Sequence, residues 1–175
     1  DSFQKTAETK PETIIRASLV EMGEALTVQL RKEFAKRGFT VHQAITLASI
    51  IEKEVSSQSD RAIAAQVFYK RLSNGIPLQS DVTIIYGMIV DGKYKDYVDM
   101  KYNSLYNTYL HTGLPIGPIS NVTSSGLKAV AEPANTDYLY FVAGDGDDYG
   151  STYFSKTLEE HNAAINAHCN SCAKP

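Results

Sequence analysis

Two glutamates, Glu52 and Glu54, stand one residue apart directly after the apolar pair Ile50 and Ile51. On an ideal helical wheel they fall on opposite margins of the apolar stripe, each drawn part of the way into low dielectric. That setting raises a carboxyl pKa and keeps a glutamic acid protonated near neutral pH, as an acid catalyst requires. The same pattern also suits a solvated charge cluster at the rim of an amphipathic helix, and periodicity does not choose between them. Downstream come the stretch LQSD, 78–81, and a segment rich in Tyr, Asn, Gly and Pro over 89–122. Together these are the chemical parts of a glycan-cleaving site. A carboxylic acid protonates a glycosidic oxygen, aromatic rings hold sugar faces, and Gln, Ser, Asp and Asn bond hydroxyl and acetamido groups.

Other chemistries find little support. The chain has no GxSxG, Walker loop, HExxH or zinc quartet. His42, His111, His161 and His168 are scattered and read as surface or satisfied histidines. Asp145, Asp147 and Asp148 lack the closing Glu of a calcium-binding loop and read as a solvated turn. Cys169 and Cys172 form a CxxC in the polar tail CNSCAKP; without a second ligand pair they read as an incidental pair. Asn121-Val122-Thr123 fits a glycosylation sequon, a pattern common by chance.

The elements that must carry these groups follow from periodicity. Residues 1–10 are polar and expected to be disordered or linker. From Pro11, Ile15, Leu19, Met22, Leu26, Leu30 and Phe34 recur at helical spacing, predicting one long leading helix that stops at Gly38. Thr40 with Gln43 has the form of a capping box, opening a core helix whose apolar face is Ala44, Leu47, Ala48, Ile51 and Val55. Cap-type residues over 57–60 start a third helix with Ala64, Val67, Phe68, Arg71 and Leu72 on one face, ended by Asn74 and Gly75. Residues 76–88 are a loop leading into a short element, helix or strand. A short helix capped by Ser124 or Ser125 covers 127–132. Residues 138–143 and 152–154 read as a β-hairpin, and 156–168 as a final helix. The fold class is therefore α+β: a helical lobe carrying the glutamates, a loop-rich groove, and a small β-hairpin packed with the C-terminal helix.

The 175 residues carry a formal net charge of −3, with 43% hydrophobic and 21% charged residues, an ordinary globular balance with no long basic run. Nucleic acid is thus not an expected partner. No stretch approaches the ~20 apolar residues of a membrane span. No signal peptide opens the sequence, and its abrupt start at Asp1-Ser2-Phe3 reads as that of a fragment from which an anchor or upstream domain is left out.

Six collinear blocks then carry a resemblance: ASIIEKE (48–54), DRAIAAQVFYKRL (60–72), GIPLQSDVTIIYG (75–87), YNTYLHTGLPIGPISN (106–121), LKAVAEPANTDYLYFVA (127–143) and FSKTLEEHNAAI (154–165). In order and spanning 42–165, they resemble the MltG/YceG-like family of endolytic murein transglycosylases. The resemblance implies a catalytic domain over 11–168, its leading helix 11–41 matched only loosely, with 169–175 a tail. It implies a single-pass anchor outside this chain and a site on the extracytoplasmic face of the bacterial membrane. Peptidoglycan strands are the implied substrate, with cell-wall synthases and division or elongation proteins as partners, and neither cofactor nor metal.

Carried over residue by residue, the family's catalytic glutamate falls on Glu52, with Glu54 a supporting or structural position. Gln79, Ser80, Asp81, Tyr86, Tyr106, Asn107 and Tyr109 would bind the glycan, and turns at Gly113-Leu114-Pro115 and Gly117-Pro118 would shape the groove wall. Val82, Ile116 and Val122 stand where the family often has Pro, which alters loop stiffness more than chemistry. The implied reaction uses Glu52 as acid and then base and leaves a 1,6-anhydroMurNAc end. The alternatives are a hydrolytic muramidase using Glu52 and Asp81, and a non-catalytic peptidoglycan-binding or division scaffold.

Overall fold

The computed structural model describes residues 9–172, so the expected disorder over 1–10 and the end of the 169–175 tail lie mostly outside the described residues. The chain is α+β. Six helices, α1 (Pro11–Ala25), α2 (Val28–Lys36), α3 (Val41–Glu54), α4 (Gln58–Ser73), α5 (Asp81–Val90) and α6 (Ser124–Ala131), precede a hairpin of β1 (Tyr140–Ala143) and β2 (Thr152–Ser155). Helix α7 (Leu158–His168) closes the order.

The single leading helix expected over 11–38 is two. Thr27 interrupts it because its hydroxyl accepts from Leu30 N at 3.2 Å and caps α2 afresh. The interruption matters for burial, since Ile15 and Leu19 on α1 are exposed while Phe34 on α2 is fully buried. Gly38 ends α2 with φ +78°, where its N–H reaches Ala35 O and that of Phe39 reaches Phe34 O. This pair of bonds is a Schellman closure, which favours glycine at that position.

Helix α3 is the centre of the lobe. Its capping box forms as expected, with Thr40 accepting from Gln43 N and the Gln43 side chain accepting from Thr40 N at 2.9 Å. Ala44, Leu47, Ala48, Ile50 and Ile51 are all fully buried, and α3 packs against α2, α4, α5 and α6. Burying each large aliphatic side chain here contributes about 1.5–3 kcal/mol. The loop 106–121 is tied to the same helix, since Ile119 N donates to Ser49 Oγ at 2.9 Å and Ser120 Oγ to Ser49 O at 3.0 Å.

Residues 76–88, left open between helix and strand, resolve into a loop and then helix α5. In the hairpin, Tyr140 faces Ser155 and Ala143 faces Thr152 in antiparallel register. Phe68 of α4 meets Phe141 edge-on at 5.5 Å, joining hairpin to lobe. The acidic turn between the strands serves α7: Asp145 accepts from Asn170 N and Ser171 N at 2.9 and 2.7 Å, and Asp148 meets His168 Nδ1 at 2.8 Å. Cys169 and Cys172 are joined as a disulfide and Cys169 is buried, so this pair is part of the packed structure rather than incidental. Among the described residues, no helix is long and apolar enough to cross a membrane.

Candidate active site

The last turn of α3 sends its two glutamates in different directions, with different neighbours. Glu52 turns toward α4 and α6. Its Oε2 lies 2.9 Å from Arg61 Nη2, and its Oε1 accepts from Thr123 N at 3.0 Å and from the Thr123 hydroxyl. Arg61 Nη1 also reaches Thr123 Oγ1 at 3.2 Å and Ser125 Oγ at 3.0 Å. Both charged side chains are largely enclosed, at 9% and 15% exposure. A Cβ on Gly126 would stand 2.5 Å from Glu52 Oε1, so only glycine admits this approach. Glu52 Oε1 thus takes donors from Thr123 and Oε2 takes one from Arg61, so the group ties the end of α3 to α4 and to the start of α6.

Glu54 turns the other way, into a groove of about 730 Å³. The groove runs from Glu54, Gln79, Ser80, Asp81 and Tyr109 to Tyr140, His161, Asn162 and the Cys169–Cys172 disulfide. Burial pushes the Glu54 carboxyl up to about 7; the Ser80 hydrogen bond opposes this and the charge of Asp81 adds to it. Ser80 Oγ donates to Glu54 Oε1 at 2.5 Å. Asp81 is the first residue of α5. The Tyr109 hydroxyl is pushed up to about 12, chiefly by burial and then by Asp81 and Glu54, so it remains a donor throughout the working pH range.

Of the expected site residues, the groove thus gathers Gln79, Ser80, Asp81 and Tyr109. It does not gather Glu52, Tyr86, Tyr106 or Asn107. Tyr86 and Tyr106 pack edge to face at 4.8 Å against the core cluster. Asn107 is fully buried and its amide is spent inside its own loop, donating to Met100 O and Tyr102 O and accepting from Tyr109 N. The Gly113–Pro118 turns do not reach the groove either: Leu114 packs on the core, and the Ile116 carbonyl lies 3.3 Å from His42 Nε2.

Three contributors were missed. Arg71 donates to Leu78 O at 3.0 Å and to Gln79 Oε1 at 2.5 Å, and the far wall presents Tyr140 and His161 stacked at 5.2 Å. Arg71 had left a signal, a cation on the buried face of its helix. Burial, reinforced by Arg71, lowers the His161 pKa and keeps the imidazole neutral near pH 7. Among the described residues, no group of three or more His, Cys, Asp or Glu is placed to hold a metal ion.

The YceG-like family model matches residues 1–167. The chain belongs to the YceG-like family. An endolytic murein transglycosylase of Bacillus subtilis (strain 168) is 41% identical over 160 residues, which are 90% of this chain and 42% of that protein. One from Streptococcus pneumoniae serotype 2 is 30% identical over 177 residues, covering 97% of this chain and 32% of that protein. Among solved structures, a yceG-like protein of Listeria monocytogenes superposes with a TM-score of 0.77 at 40% identity, covering 93% of this chain and 52% of that one. This YceG-like chain therefore spans less than half the length of the curated relatives it matches.

Proposed function

We propose that residues 11–168 form the catalytic region of an endolytic murein transglycosylase, with Glu54 rather than Glu52 as its acid and base. The observation that carries this reading is the Glu54 carboxyl, half-buried in the groove wall beside Ser80, Asp81 and Tyr109 and bonded to Ser80 Oγ, where burial pushes its pKa up to about 7. A carboxyl titrating there is protonated in a large fraction of molecules at neutral pH and is still a competent base once ionised. Glu52, held by Arg61 and Thr123, is spent as an anchor.

In the proposed reaction a glycan strand lies along the groove with a MurNAc–GlcNAc bond over Glu54. Glu54 gives its proton to the glycosidic oxygen as the C1–O bond breaks. The positive charge developing on the MurNAc ring is stabilised by the carboxylates of Asp81 and, once ionised, Glu54. Glu54 then takes the proton of the MurNAc C6 hydroxyl while that oxygen bonds to C1. One strand leaves with a GlcNAc hydroxyl and the other with a 1,6-anhydro ring, and no water is consumed. The Ser80 hydrogen bond steadies the ionised form of Glu54, and the neutral Tyr109 hydroxyl donates to the sugar. On this reading the protein works outside the cytoplasmic membrane, beside the synthases that extend the strands.

Asp81 in the same groove also supports a second reading, a hydrolase in which two carboxylates activate water. Mass spectrometry of products from uncrosslinked glycan strands separates them. The lytic reading predicts 1,6-anhydro ends lighter than hydrolytic ends by one water per cut; reducing ends alone would overturn it.

A further inference from the structure

We propose that Arg71 is a positioning residue for this site: by gripping Leu78 and Gln79 it holds the 78–81 turn in the backbone shape that delivers the Ser80 hydroxyl to Glu54. The proposal rests on the assignment of Glu54 as the acid. Gln79 has φ +54°, the left-handed region, although it is not glycine. An L-residue held there costs about 1–2 kcal/mol, so something must impose the conformation.

Two grips do so from opposite sides. On one, the Arg71 guanidinium spans Leu78 O at 3.0 Å and Gln79 Oε1 at 2.5 Å while lying 5.5 Å from the centre of the Tyr140 ring. On the other, Thr108 accepts from Gln79 N through its carbonyl at 3.1 Å and from Ser80 N through its hydroxyl at 3.1 Å. The next residue along, Ser80, is buried and bonded to Glu54. Arg71 bonds the two residues before Ser80 and makes no hydrogen bond or ion pair with Glu54 itself, so the turn is the path by which it acts on the carboxyl. A lysine would keep the charge but lacks the planar fork that holds two acceptors at once. A glycine at 79 would adopt the left-handed conformation with no grip at all.

The test follows Glu54 by carbon-13 carboxyl titration in the full chain, with Glu54→Gln assigning the resonance, alongside kcat and KM on uncrosslinked glycan. In Arg71→Lys the Glu54 midpoint should rise, because the Ser80 hydrogen bond to the carboxylate is weakened. The turnover number should fall by about 10- to 100-fold, as expected for a small misplacement, with KM changing less. Arg71→Lys with Gln79→Gly should bring the midpoint back toward that of the parent. Gln79 is exposed, so Gln79→Ala and Gln79→Gly provide a pair that spares the core. Alanine should raise the midpoint and glycine should hold it lower than alanine does. An unmoved midpoint in Arg71→Lys and Gln79→Ala, or no return in the double variant, overturns the proposal. The titration needs no turnover, so a protein that failed to cut glycan would sink the functional reading and leave this one separately readable.

Discussion

Ser80 Oγ donates to Glu54 Oε1 at 2.5 Å, joining the residue that precedes α5 to the last residue of α3. A hydroxyl donor favours the ionised carboxylate, so this bond pulls the Glu54 pKa down against the burial that drives it up. Removing the donor in Ser80→Ala should therefore send the pKa higher. The high-pH limb of the kcat profile, where the proton needed for bond cleavage is lost, should move to higher pH. A limb that stays put or moves down would show that the bond does not govern the acid.

Glu54 should also leave a mark on stability. Its folded pKa of about 7 lies above the ordinary value of 4.5, so between these pH values the folded state keeps a proton that the unfolded chain has released. Stability is then lost as pH rises through this window, by at most about 1.4 kcal/mol per pH unit. Glu54→Gln has no such slope. Urea unfolding at pH 5 and pH 8 should show the variant gaining on the parent by about 2–3 kcal/mol across that range.

The Glu52–Arg61 pair should behave as structure. Replacing Arg61 with Leu leaves an enclosed carboxylate without its cation and should cost about 3–5 kcal/mol in unfolding free energy. Gly126→Ala forces a Cβ onto Glu52 Oε1 and should cost about 1–3 kcal/mol. Full stability with turnover abolished in either variant would hand the acid role back to Glu52.

The Cys169–Cys172 disulfide closes a short loop against the groove, with Asp145 accepting the Asn170 and Ser171 amides inside it. Loop entropy alone gives about 2 kcal/mol for a closure this short. Thermal unfolding with and without a reducing agent should show a fall in midpoint, and Cys169→Ser with Cys172→Ser should abolish the difference.

Local signals carried much of the fold into the sequence. The Thr40 box, the Gly38 stop and the hairpin of 138–143 with 152–154 each depend on neighbours a few residues away, and each formed, the first strand over Tyr140–Ala143. The break at Thr27 was hidden because the apolar spacing of Met22, Leu26 and Leu30 continues across it. The groove was half legible. LQSD was visible as a polar loop, but whether Asn107 bonds sugar or its own loop depends on where Met100 and Tyr102 turn back, which spacing cannot encode. Glu52 and Glu54 sat on opposite margins of one stripe, which periodicity alone did not separate, and the family resemblance placed the acid on Glu52. The proposed reassignment of the acid to Glu54 rests on the partners brought by α4, α6 and the 78–81 turn, which spacing along the chain does not encode.

Turnover of uncrosslinked glycan by Glu54→Gln and Glu52→Gln, measured side by side with strand binding, tests the central claim most directly. The account predicts that Glu54→Gln binds strands but loses cleavage by at least about 100-fold, while folded Glu52→Gln still cuts. Cleavage surviving in Glu54→Gln and lost in a fully folded Glu52→Gln would contradict it.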